Sequence, residues 1–111
     1  MKRPLRESDI EKYLVKRVKE LSGECRKIQF IGRPGAPDRL VMLPAPPFNP
    51  IAAMTAASRG KPTGGRTIWI ELKAPGKKAE PHQLREHARM RRMGQRVVVI
   101  DSLAGVDEIL A

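Results

Sequence analysis

Five side chains set the chemistry open to this chain: Glu11, Asp38, Glu71, Lys73 and Gln83. The stretch Ile68-Trp69-Ile70-Glu71-Leu72-Lys73 reads as a β-strand of alternating side chains. Ile68, Ile70 and Leu72 take one face; Trp69, Glu71 and Lys73 take the other. An acid and a base two residues apart thus share a face and can converge on one ligand. Asp38 follows the turn Gly32-Arg33-Pro34-Gly35-Ala36-Pro37 and opens the strand Arg39-Leu40-Val41-Met42-Leu43. In an antiparallel pair the start of one strand lies beside the end of its neighbour, so Asp38 and Glu71 can grip a common ion. Two carboxylates with the backbone carbonyl of Leu72 make a hard oxygen set, suited to Mg²⁺ or Mn²⁺ rather than zinc. Lys73 adds a positive charge able to hold or activate a water. Together these groups describe in-line attack on a phosphodiester.

Each group also has a blander reading. Glu-x-Lys is common in strands, and an Asp at a strand entrance is often turn chemistry. Glu11 with Ser8 fits the S-x-x-E capping box of a helix over 8–22, and Glu7, one turn earlier, fits the helical-acid position as well. His82 and His87 lack the partners of a zinc site and read as exposed or hydrogen-bonded. The single Cys25 permits no internal disulfide, fits a reducing compartment, and reads as a small core side chain.

The elements that must position these groups follow from periodicity. Ile10, Leu14, Val18 and Leu21 recur at helical spacing, with Gly23 as the stop. A strand over 25–31 precedes the Gly/Pro turn. Residues 44–66 interrupt the pattern as a loop insertion. Within it Asn49 caps a short helix from Pro50 to Ser58, and Arg59, Lys61 and Arg66 suit either a flap over a polyanion or plain flexibility. Pro81 starts a helix running to Met93, although Glu80 is a poor cap and the apolar face of Leu84, Ala88, Met90 and Met93 is thin. The apolar run Arg96–Asp101 reads as a buried central strand. Ser102 caps a last helix with Val106, Ile109 and Leu110 turned inward. The order α-β-β-β-α-β-α predicts one α/β domain over 1–111. Its mixed central sheet, flanked by helices, has an antiparallel meander first and a parallel pair last.

Charge narrows the partner. Twenty-two basic less 12 acidic residues leave a formal +10, with a pI near 10.5. Such an excess on a small domain points to a polyanion, nucleic acid first. No run approaches the ~20 apolar residues that span a bilayer, so the expected setting is the cytoplasm. Tyr13, Phe30, Phe48 and Trp69 are scattered, which argues against a single-strand stacking platform.

Gly35-Ala36-Pro37-Asp38, Glu71-Leu72-Lys73 and Gln83, preceded by a helical Glu11, resemble the PD-(D/E)-x-K nuclease superfamily. Within it, the pattern is most similar to the VRR-NUC (virus-type replication-repair nuclease) domain, over nearly the whole chain. The resemblance implies a restriction-endonuclease-like core and divalent-metal-dependent DNA cleavage in a bacterial or phage-infected cell. It also implies a homodimer with Holliday-junction resolvase-like preference for branched DNA. Asp38, Glu71 and the Leu72 carbonyl would bind metal, Lys73 would position water, Gln83 would support the site, and Glu11 would assist through a water or second ion. Arg33, Arg39, Lys77, Lys78 and Arg85 would meet DNA. The competing reading is a nuclease-like fold that binds DNA without cutting it.

Overall fold

In the computed structural model, the alternation of Ile68, Ile70 and Leu72 becomes a strand in the middle of a four-stranded sheet. The structure describes residues 3–45, 50–51, 54–55, 59–60 and 64–111. Along the chain these form α1 (Glu7–Glu20), β1 (Glu24–Lys27), β2 (Arg39–Leu43), β3 (Arg66–Leu72), α2 (Pro81–Arg92), β4 (Val97–Ile100) and α3 (Leu103–Leu110). The sheet order is β1-β2-β3-β4. β1, β2 and β3 are antiparallel neighbours, and β4 runs parallel to β3. The expected mixed α/β core is therefore present. Pro50, Ile51, Met54 and Thr55 are helical, with the Thr55 hydroxyl donating to the Ile51 carbonyl at 3.0 Å. Arg59 is exposed in a turn, whereas Arg66 opens β3 and donates to the Leu110 and Ala111 carbonyls at 3.2 and 3.5 Å, tied to α3 and not free in a flap. Asn49 as a cap and Lys61 fall outside the described residues.

One face of the sheet carries the core. Ile10, Leu14 and Val18, four residues apart on α1, are at most 1% exposed, as are Val41, Ile68 and Ile70 beneath them. Val106 and Leu110 of α3 complete the cluster, with Cys25 packed at its margin, where burial pushes the thiol pKa up. Each such aliphatic contributes roughly 1.5–3 kcal/mol by leaving water. Tyr13 on α1 donates to Asp107 of α3 at 2.7 Å, pinning the two helices together.

Three local expectations are corrected. First, α1 begins at Glu7, with Asp9 as its first-turn acceptor: the Asp9 carboxylate takes the Arg6 N–H at 2.9 Å and is forked by Arg3 at 2.6 and 2.8 Å. Ser8 is thus not the cap, and Glu11 is free of capping duty. Second, the left-handed residue ending α1 is Ser22 (φ 63°), not Gly23. Gly23 is needed because a Cβ there would sit 2.5 Å from the Met42 carbonyl oxygen. Third, β4 is an edge strand among the described residues, not a central one, and Val99 is 37% exposed. Arg91 blunts that edge by donating to the Val97 carbonyl at 2.8 and 3.2 Å.

The two strands should therefore respond differently to truncation. Ile70→Ala, at a fully buried central position, is expected to cost about 2–5 kcal/mol in urea unfolding. Val99→Ala at the edge should cost about 0.5 kcal/mol or little more. Equal losses would contradict this placement of the core.

Candidate active site

The β2–β3 register decides what Asp38 meets. Arg39 pairs with Ile70. Continuing that ladder by one residue places Asp38 opposite Glu71 on the face away from the core, where directly opposed Cβ atoms lie about 4.5–5.5 Å apart. β4 sets Val99 on the other side of Glu71. Lys73, two residues on, keeps the same face, and its N–H is held by the Ile100 carbonyl at 2.9 Å. The turn that delivers Asp38 is seated directly on the start of α2. Gly35 has φ 88°, and a Cβ there would lie 2.8 Å from the His82 carbonyl oxygen. Only glycine accommodates both constraints.

Glu71 is 8% exposed. Burial, then the negative charge of Asp38, pushes its pKa up to about 7, with Lys73 opposing and Glu7 adding to the rise. Glu71 is the poorly hydrated member of the pair; Asp38 is half-exposed and meets one cation, Arg39, leaving the two acids with oxygens free for another. Among the described residues no three acid, histidine or cysteine side chains form a complete metal cage. Mg²⁺ does not require one, being held typically by one or two carboxylates with waters and substrate phosphate. The oxygens of Asp38 and Glu71 fit that chemistry.

Arg39 stands apart from the other expected DNA-contacting cations. It is 7% exposed and faces the core side at the end of β2. Its guanidinium bridges Glu11 at 2.8 Å and Asp38 at 3.0 Å. Glu11 is thereby engaged by Arg39, whereas the charge of Glu7 is felt at Glu71. Arg33, Lys77, Lys78 and Arg85 are exposed, Arg33 lying 3.9 Å from Glu86.

α2 departs most from expectation. Leu84 and Met93 are 51% and 71% exposed, while Glu86, His87 and Met90 are buried. The inward stripe is Gln83, Glu86, His87 and Met90, a helical i, i+3, i+4, i+7 pattern that is mostly polar. A search for apolar periodicity passes over it; the same period in polar residues was the available signal. Glu80 occupies the N-cap position, and its N–H donates to Gln83 Oε1 at 2.8 Å. That bond fixes the Gln83 amide and leaves its NH₂ as a donor.

His87 was expected to be exposed or hydrogen-bonded. It is 0% exposed, and neither ring nitrogen makes a well-formed hydrogen bond, the Gly35 backbone offering only a weak one. Burial, followed by the charge of Arg91, holds its pKa below the usual value. Its Nε2 lies 4.0 Å from Glu71 Oε1, one small movement from a hydrogen bond. A buried donor left wholly unpaired costs about 1–3 kcal/mol, and the weak Gly35 contact recovers only part of that.

The mixed four-stranded sheet with its helices is a restriction-endonuclease-like α/β core. A solved structure described as "VRR_NUC domain" matches with TM-score 0.70 and 35% identity, covering 94% of this chain and 92% of that one. A protein of Acyrthosiphon pisum secondary endosymbiont phage 1, named "Putative nuclease p44", is 42% identical over 100 residues, 90% of this chain and 87% of that protein. No family model matches the sequence. On these relatives, the chain belongs to the VRR-NUC nuclease family.

The sign of the Glu71 effect is testable in metal-free protein. Between about pH 4.5 and 7 the folded state holds a proton that the unfolded state has released, so folding weakens as pH rises through that window. Glu71→Gln removes this dependence. In EDTA, the variant should gain stability relative to wild type between pH 5 and 8; a constant difference would refute the shift.

Proposed function

We propose that this protein is a divalent-metal-dependent DNA endonuclease. The observation that carries the reading is the buried Glu71 opposed by Asp38, with Lys73 on the same sheet face. Asp38, Glu71 and the Leu72 carbonyl would hold Mg²⁺ or Mn²⁺, which when bound supplies an activated water and offsets phosphate charge. Lys73 orients that water toward phosphorus. The free amide hydrogens of Gln83 donate to a phosphate oxygen or to the water. His87 orients Glu71 by donating across the 4.0 Å gap once the carboxylate is ionised. Arg39 holds Asp38 in place, and Glu11 acts through Arg39. Glu7 is the helical acid whose charge reaches Glu71. Exposed Arg33, Lys77, Lys78 and Arg85 bind the phosphate backbone without reading sequence.

No helix among the described residues is long and apolar enough to cross a membrane. The phage relative suits a cytoplasmic role on phage or host DNA. A symmetric dimer would present two sites to a symmetric junction, making branched DNA the favoured substrate. Sedimentation at equilibrium should then return twice the chain mass of 12.4 kDa.

Incubation of branched and linear DNA with Mg²⁺ or EDTA tests the activity. Wild type should cut only with the metal. Asp38→Ala and Lys73→Ala should bind DNA as wild type does and lose cutting by about 10²-fold or more. Glu11→Ala should chiefly destabilise the fold, by about 1 kcal/mol because Arg39 keeps Asp38 as a partner, whereas Glu7→Ala should chiefly reduce cutting. Equal residual cutting in all variants would point to a contaminant and leave a DNA-binding module.

A further inference from the structure

The aromatics that look scattered in the sequence are partly gathered in space. Phe30 and Trp69 lie 39 residues apart in the chain, yet their ring centroids are 5.6 Å apart at an interplanar angle of 53°. Trp69 is anchored by its indole N–H, which donates to Gln95 Oε1 at 2.9 Å. It shares the sheet face of Glu71 and precedes it by two residues, roughly 6.6 Å along the strand. Phe30, backed by Trp69, therefore lies on the side of the sheet that carries the acidic site.

Beside Phe30 opens a groove of about 470 Å³ that runs to Asp38. Its walls include Lys27 and Arg33, both exposed, and Phe30, half-buried. The volume lies within the ~300–1,000 Å³ of small-ligand sites. The adjoining side chain, Ile31, is 95% exposed at the tip of the same turn, the most exposed large hydrophobic among those described. Solvation gives no reason to hold an isoleucine there. An apolar side chain at a loop tip next to a basic, aromatic-floored groove has the make-up of a wedge that enters a base step, with a receptacle for what it displaces.

The geometry points to a binding site for one unpaired nucleotide in this groove, adjacent to the phosphate presented to Asp38 and Glu71. The base stacks on Phe30, which Trp69 supports from behind. Lys27 and Arg33 hold the flanking phosphates. Ile31 fills the gap left in the duplex. This rests on the nuclease reading and specifies its substrate: DNA in which the nucleotide beside the cut is, or can easily become, unpaired. Fully paired duplex would have to be unstacked first.

A duplex carrying 2-aminopurine in a short central bulge reports occupancy of the groove without any cleavage, because stacking quenches the fluorophore. Wild type in EDTA should quench the bulged probe. Phe30→Ala should leave it bright, and Phe30→Tyr should restore quenching. In Mg²⁺, the ratio of cutting at the bulge to cutting of paired duplex should fall roughly tenfold in Phe30→Ala, the scale of one lost base–aromatic stack. Lys27→Ala with Arg33→Ala should weaken bulge binding even if Phe30→Ala fails to fold. Absence of quenching by wild type, or full quenching by folded Phe30→Ala, would overturn the site. Quenching by wild type with no cutting of any DNA would spare the groove and refute the nuclease reading.

Discussion

Like charges opposed across a strand pair repel, and the molecule is built around one such opposition. Extending the Arg39–Ile70 register by one step sets Asp38 against Glu71. At ~5 Å and an effective dielectric near 20, two full charges would cost about 3 kcal/mol before screening by the water that reaches Asp38. The Arg39 guanidinium, 3.0 Å from Asp38, offsets part of this. The opposite sheet face offsets more. Val41, Ile68 and Ile70 lock β2 to β3 from beneath, backed by Ile10, Leu14 and Val18 of α1. Glu71 relieves the remainder by holding its proton to about pH 7. A divalent cation would relieve it further, and that need is what makes the site a site.

The same logic accounts for the polar face of α2. A helix laid on a sheet normally buries aliphatic side chains, whereas this one buries Glu86 and His87 beside Met90. Replacing that face with leucine would favour burial and remove the polar groups that lie beside Glu71. Glu86 is held by Arg89 at 2.9 Å, so its charge is compensated locally. His87 is less well paired, its buried ring reaching only a weak contact with the Gly35 backbone and lying 4.0 Å from Glu71. Arg39 plays the converse part on the core side, a buried cation whose two acidic partners tie α1 to the start of β2.

How much of this was legible in the sequence follows from which signals are local. Ile68-Trp69-Ile70-Glu71-Leu72-Lys73 declared its own strand and faces, because alternation is a property of six consecutive residues. Gly35 and Pro37 declared the turn, and Pro81 the start of α2. The run Val97-Val98-Val99-Ile100 was misjudged because composition reports hydrophobicity, not how many neighbours a strand has; β4 has one among the described residues. Arg39 looked like a surface cation because nothing in its vicinity shows that Glu11, 28 residues away, would fold over it. His87 and the pairing of Phe30 with Trp69 were invisible for the same reason: each depends on a partner brought by another element.

The sharpest test is where a metal goes. Crystals grown with Mn²⁺ allow its anomalous scattering to be mapped directly. The account predicts a peak bound by carboxylate oxygens of both Asp38 and Glu71 at about 2.0–2.2 Å, with water completing the shell. A peak held by only one of the two acids, or none between the strands at millimolar Mn²⁺, would contradict it.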